Sequence, residues 1–188
     1  MNSLRNVLLI STLALVVLEQ AGRVTAQSQS AAKHDRAQGP AATAQLNDAQ
    51  GKTVGRVELV ETPHGVLASV TLTGAAPGEH AFHVHETGKC DAPTFESAGG
   101  HFNPRKAQHG FLNAKGPHAG DLPNLHVPSS GQLEFEAFLD GVTLKKGANS
   151  LEDADGAALV LHAKPDDHRS DPAGEAGDRI ACGVVQAQ

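Results

Sequence analysis

From residue 41 onward the chain is dominated by two-residue alternation of apolar and polar positions, the period of a half-buried strand. Ala41 to Leu46 is a first candidate strand, closed by a turn at Asn47 to Gly51. In the second, Val57 and Leu59 alternate with Arg56 and Glu58 between Val54 and Val60. Val66, Ala68, Val70 and Leu72 share one face of the third, and His80 to Glu86 is the fourth. Leu133, Phe135, Ala137 and Leu139 alternate with Glu134, Glu136 and Phe138, and Ala157 to Leu161 and Ile180 to Val185 complete the set. No long segment carries the 3.6-residue period of an amphipathic helix. Short strands separated by turn residues predict an antiparallel all-β sandwich or barrel. Two stretches have no strand pattern, about 45 residues between Glu86 and Ser130 and the acidic run from Ala163 to Asp178. Loops this long inside a compact domain are usually functional or disordered.

The N-terminus reads differently. Arg5 precedes an apolar run from Val7 to Leu18, and a polar stretch then ends in Val24-Thr25-Ala26. These are the three regions of a secretory signal, and the apolar run is too short for a bilayer span. Residues 1–26 are expected to be the signal, 27–40 a flexible Gln/Ser/Ala-rich leader, and 41–188 the folded domain. Cleavage after Ala26 would leave 13 basic and 20 acidic residues, a charge of −7.

Composition narrows the function. An acidic balance of 15 Lys and Arg against 21 Asp and Glu argues against a nucleic-acid partner. With no Trp, no Tyr and six Phe, stacking on bases or sugars is not the expected mode of recognition. Twenty Gly and ten Pro fit many turns. Two cysteines, Cys90 and Cys182, read as a disulfide in an exported chain. Closing a loop of that length is worth roughly 4–5 kcal/mol in the chain-entropy account. The unusual count is eleven His, which points to metal.

His83 and His85 flank Val84 inside the fourth strand, so both rings leave one face while Phe82 and Val84 face the core. Alone, that triplet fits two solvated surface histidines equally well. The long loop adds His101, His109, His118 and Asp121, four nitrogen and oxygen donors suited to tetrahedral zinc. His162 closes the Ala157 to Leu161 strand with the parity of Ala158 and Val160. His34, His64, His126 and His168 read as solvated or loop residues. His80, of opposite parity to His83, is expected to make a structural hydrogen bond.

These residues together resemble the copper/zinc superoxide dismutase family. Gly78-Glu79-His80-Ala81-Phe82-His83-Val84-His85-Glu86 looks like its first signature, and Gly99-Gly100-His101-Phe102-Asn103-Pro104 like the next segment. His118-Ala119-Gly120-Asp121-Leu122 is similar to its zinc motif, Leu159-Val160-Leu161-His162 follows in order, and Gly177-Asp178-Arg179-Ile180-Ala181-Cys182-Gly183-Val184 resembles its C-terminal signature. The resemblance implies an immunoglobulin-like Greek-key β-barrel or sandwich with two long functional loops.

It also implies roles. Copper would be held by His83, His85, His101 and His162, and zinc by His101, His109, His118 and Asp121. His101 would bridge the two metals, Arg179 would guide the superoxide anion, and Asp166 would join His83 to His109. Cys90 and Cys182 would form the family disulfide. One copper and one zinc per subunit would serve superoxide dismutation, in a periplasm or outside the cell. A homodimer is compatible with this, although the family's interface geometry is not carried over to a chain without Tyr and Trp. Two other classes compete. An exported copper/zinc-binding module without catalysis would lack a copper ligand or the arginine. A zinc hydrolase built on His101, His118 and Asp121 would leave His83 and His85 unexplained.

Overall fold

The structure, a computed structural model, describes residues 41–188. The signal and leader expected at 1–26 and 27–40 lie outside these residues. Among the described residues there are ten strands: β1 (Ala41–Asp48), β2 (Thr53–Glu61), β3 (Gly65–Leu72), β4 (Gly78–His80), β5 (Phe82–His85), β6 (Leu125–Val127), β7 (Leu133–Asp140), β8 (Ala158–His162), β9 (Arg179–Val184) and β10 (Gln186–Ala187). Among the described residues the one helical element is a 3-10 turn, Glu96–Ala98.

The main sheet runs β5-β8-β9-β1-β2-β3-β7, with β10 also paired to β1, and every pairing is antiparallel. Phe82 and Val84 from one end of that order lie in the same apolar cluster as Leu139 from the other end. The sheet therefore curls round its core into a half-barrel, as an all-β Greek-key reading requires. The core comes from Ala42, Ala44 and Leu46 of β1 and from the predicted apolar faces of β2 (Val57 and Leu59) and β3 (Val66, Ala68, Val70 and Leu72).

The structure divides the predicted fourth strand in two. Gly78–His80 pairs with Leu125–Val127 in a separate two-stranded sheet, whereas Phe82–His85 pairs with β8. Ala81 is the switch point, its N–H donating to Lys164 O and its carbonyl accepting from His162 N. Strand β6 lies inside the stretch read as strandless. Its three residues are too few for alternation to show against the surrounding Pro and Asn.

Strand β8 is buried on both faces. Leu159 and Leu161 enter the main core, while Ala158 and Val160 enter a second, smaller cluster with Phe95, Ala98 and Cys182. This outer face of β5 and β8 carries His83, His85 and His162, and the long loop covers it. The loop also occupies the free edge of β5. Val84 N–H donates to Gly120 O at 2.9 Å, Phe102 N–H to Val84 O at 2.8 Å, and Gly120 N–H to Phe102 O at 2.9 Å. Loop backbone thus satisfies groups that an exposed strand edge would leave unpaired. Cys90 and Cys182 form the disulfide, tying this loop to β9.

Gly120 lets these three backbone segments meet, because a Cβ there would lie 2.3 Å from Val84 O. Gly120→Ala is expected to destabilise the metal-free protein by about 1–3 kcal/mol through overpacking. Gly147→Ala, where nothing lies within 4 Å of the added carbon, should stay within about 0.5 kcal/mol. Urea unfolding of the two variants checks the contrast; equal stabilities would refute it.

Candidate metal centre

Six imidazoles and two carboxylates are buried together on the outer face of β5 and β8: His83, His85, His101, His109, His118, His162, Asp121 and Asp166. Strand pleat sets His83 and His85. A register shift between Leu161 and His162 carries His162 to the end of β8, opposite Arg179. Backbone bridges pair His85 with His101 and His83 with Asp121, drawing the loop residues onto the strand.

Two groups of donor atoms share His101, and a third, His83, His109 and Asp166, links them. Of the two that share it, one is His83, His85, His101 and His162, and the other is His101, His109, His118 and Asp121; within each, one atom per residue lies within 4.8 Å of the rest. In the second group Asp121 Oδ1 faces Nδ1 of His101, His109 and His118 at 2.9, 3.0 and 3.3 Å. Zinc–ligand bonds of about 2.0–2.1 Å in a tetrahedron place ligand atoms roughly 3.3–3.4 Å apart, so the spacing suits that ion, slightly contracted.

Hydrogen bonds fix which nitrogens are free to bind metal. Asp166 joins His83 Nε2, 2.8 Å from Oδ2, to His109 Nε2, 2.9 Å from Oδ1. His85 Nδ1 donates to Gly99 O at 3.0 Å. The opposite nitrogens of His83 and His85 then present lone pairs, whereas His109 Nδ1 is turned to Asp121 Oδ1. His83 Nδ1 and His101 Nε2 are buried without a hydrogen-bond partner, and His85 Nε2 faces His162 Nε2 at 3.4 Å. Buried lone pairs turned on one another repel, and a cation between them removes the repulsion. The residues present therefore fit two metal ions, one set by imidazoles alone and one by three imidazoles and a carboxylate.

Arg179, the first residue of β9, reaches the same centre. Its Nη2 donates to Gly99 O at 2.7 Å, the carbonyl that also accepts from His85, and its Nη1 donates to Phe95 O at 2.7 Å. It lines a surface cleft of about 660 Å³ with Glu96, Asp178 and Pro93.

The chain matches the copper/zinc superoxide dismutase family over residues 53–185. The chain belongs to that family. It is 52% identical over 145 residues to a copper/zinc superoxide dismutase of Aquifex aeolicus, which covers 76% of this chain and 86% of the relative. Among solved structures, a superoxide dismutase-like protein from Bacillus subtilis superposes with a TM-score of 0.74 at 38% identity, covering 77% of this chain and 97% of the other. The copper/zinc superoxide dismutase of Brucella abortus gives 0.62 at 29% identity, covering 78% and 99%.

Electrostatics separate the two halves of the centre. Burial lowers the His85, His162 and His101 pKa values to about 2, 3 and 4, reinforced by neighbouring positive groups and, at His101, partly offset by Asp121. Burial also pushes His83 down, against the pull of Asp166. His109 goes the other way. Burial opposes its charge, but hydrogen bonds and attraction from Asp121 and Asp166 outweigh that and raise it to about 9. Desolvation of Asp121 and Asp166 is likewise outweighed by the histidines they accept from, and both stay well below the usual carboxylate range.

Every residue expected at the centre is brought to it. His64 and His126 are exposed, and His80 bridges His162 O and Ala76 O at 2.7 and 2.9 Å, the structural bonding expected of it. The acidic loop differs from a uniformly repulsive rim. Asp166 is buried against two imidazoles, and Asp171 Oδ1 accepts from His109 N–H at 2.7 Å. Sequence reasoning missed Asn124, which accepts from Asp166 N at 2.8 Å and donates to Asp166 O at 2.9 Å. It also passed over His168, half-buried beside Asn124, whose N–H donates to Asp166. A lone Asn or His in a loop carries no spacing signal that could have revealed either.

Two outcomes follow for the metal-free protein. At pH 7, two units below its raised pKa, His109 carries a proton on Nδ1 that zinc must displace, so zinc uptake should release about one proton from it. Calorimetry in buffers of different ionisation heat measures this, and a release of zero would overturn the account of His109. Asp166→Asn should weaken zinc retention about 10–100-fold, as loss of a carboxylate orienting a ligand does. Competition with a chelator reads it directly.

Proposed function

We propose that the chain dismutes superoxide, turning two superoxide anions and two protons into dioxygen and hydrogen peroxide. Copper is held by His83, His85, His101 and His162, and zinc by His101, His109, His118 and Asp121. Copper supplies the one-electron change, alternating between its cupric and cuprous states. The observation that carries the reading is the pairing of an all-imidazole donor group with Arg179 through one carbonyl, Gly99 O.

The protein's own groups do the rest. His101 Nε2, which has no partner in the protein, is the atom that would hold a proton for the second superoxide. His101 Nδ1 stays turned toward Asp121 and the zinc donors, so the ring does not swing away when Nε2 is protonated. Asp166 holds His83 and His109 in one tautomer and orients both halves together. Arg179 stays charged despite burial, which lowers its pKa from the ordinary guanidinium value against the pull of Glu96. Its remaining N–H groups receive the anion. Its fixed positive charge also attracts the anion from a distance.

A non-catalytic copper/zinc store would have no use for an arginine held at the donor group. We also read the chain as exported, to a periplasm or outside the cell, with 1–26 as signal, 27–40 as leader and 41–188 as the working domain. The disulfide supports an oxidising compartment. Among the described residues no helix is long and apolar enough to cross a membrane.

Superoxide decay measured on metal-free, zinc-only and copper-plus-zinc protein is the test. Fast decay is expected in the last form alone; decay at the buffer rate with both metals bound would shift the reading to metal storage. Arg179→Ala should retain both metals and lose at least tenfold in rate, the worth of about one charge-assisted hydrogen bond. Turnover should also fall as ionic strength rises, since screening weakens attraction to Arg179; a flat profile would remove steering from the account.

A further inference from the structure

Arg179 is held from both ends of a single short turn. Phe95 precedes the 3-10 turn Glu96–Ala98 and Gly99 follows it, and their two carbonyls accept Nη1 and Nη2 of the guanidinium. Gly99 O is fixed by its second donor, the His85 ring. Phe95 O is fixed less directly. It also accepts Ala98 N–H at 3.1 Å, and Phe95 N–H donates to Asp91 O at 2.9 Å.

The Phe95 backbone is unusual. Its φ of 55° and ψ of 20° put a bulky residue in the left-handed region, which L side chains other than Gly, Asn and Asp seldom adopt. Such a conformation persists only where the surroundings over-determine it. Here the ring does so. Phe95 is 2% exposed, clustered with Ala98, Ala158, Val160 and Cys182, with Ala49 and Cys90 packed against the cluster. A side chain with no polar atom is thus buried beneath the metal loop, and its backbone carbonyl points at the residue that meets the anion.

We propose that Phe95 is a positioning residue for Arg179: its buried ring holds the left-handed turn that aims Phe95 O at Nη1, and so sets the direction of the N–H groups left for the anion. This rests on the reading of Arg179 as the anion guide. Without the ring, the turn is free to leave the left-handed region, Nη1 loses its acceptor, and the guanidinium swings about the one remaining bond to Gly99 O. Phe95 touches neither anion nor metal, so its effect passes wholly through Arg179.

Azide, a small monoanion, is the probe, titrated into the copper-plus-zinc protein and followed by the cupric absorption and electron paramagnetic resonance spectra. Arg179→Ala is measured first. If it leaves azide affinity unchanged, the anion-guide reading itself fails. If it weakens azide, Phe95 is tested with Phe95→Ala and with Phe95→Gly, the latter compatible with the left-handed backbone. Both should keep their metals and bind azide on the order of tenfold more weakly, the worth of one orienting hydrogen bond. Phe95→Leu, which restores an apolar anchor, should recover most of the affinity. Combining Phe95→Gly with Arg179→Ala should bind azide no more weakly than Arg179→Ala alone, as residues acting through one another are non-additive. Native azide affinity in both truncations, additive losses in the double variant, or loss of both metals from each truncation would overturn the proposal.

Discussion

Buried polar groups must be paired, and the eight at the centre of this protein are paired only in part by one another. Asp166 and the Gly99 carbonyl accept the ring N–H bonds of His83 and His85. That leaves the opposite lone pairs facing inward, where protein atoms cannot satisfy them. The low dielectric that makes such groups costly also makes a bound cation strongly favoured there. Cation binding is therefore a condition of burial for this surface.

The rest of the fold serves that condition. The half-barrel supplies a rigid wall, because β8 is buried on both faces and has no freedom to tilt. The metal loop packs on the outer side of that wall through backbone bonds to β5, a small apolar cluster and the disulfide. Apolar burial alone would not order a loop so rich in Gly and Pro; its stability is shared between the cluster, the cross-link and the ligands it carries. Metal binding and loop order are then one equilibrium.

Charge is arranged to suit. Asp166 is buried and shares the His109 ring, whose pKa is raised, with Asp121, so the acidic loop exposes less negative charge than its composition implies. At the cleft by Arg179 the balance is closer, with Glu96 and Asp178 beside a single guanidinium. No Lys and no second Arg is in that lining. In the proposed function, recognition of the anion would thus depend on the orientation of Arg179 more than on a wide positive field, which is why the two carbonyls that hold it matter.

Alternation along Val66 to Leu72 and Leu133 to Leu139 was enough to place those strands and their inward faces, since strand period is a local property of the chain. Spacing in His83-Val84-His85 likewise put two rings on one face. Residue type alone picked out His101, His109, His118, Asp121 and His162, and the family resemblance added Arg179 and Asp166. What no local pattern contained was the sheet switch at Ala81, the three-residue β6, and the Asn124 and His168 contacts to Asp166. Each depends on a partner at least 40 residues away or on backbone groups that every residue type possesses. Phe95 is the sharpest case. Its residue type says only that a ring will be buried, and tertiary packing alone turns its carbonyl toward Arg179. The sequence by itself determined the longer strands, the donor inventory and the chemistry those donors favour. The tertiary structure decided which lone pairs are left to face one another and where the guanidinium points, because direction is a property of the packed chain and not of any segment in it.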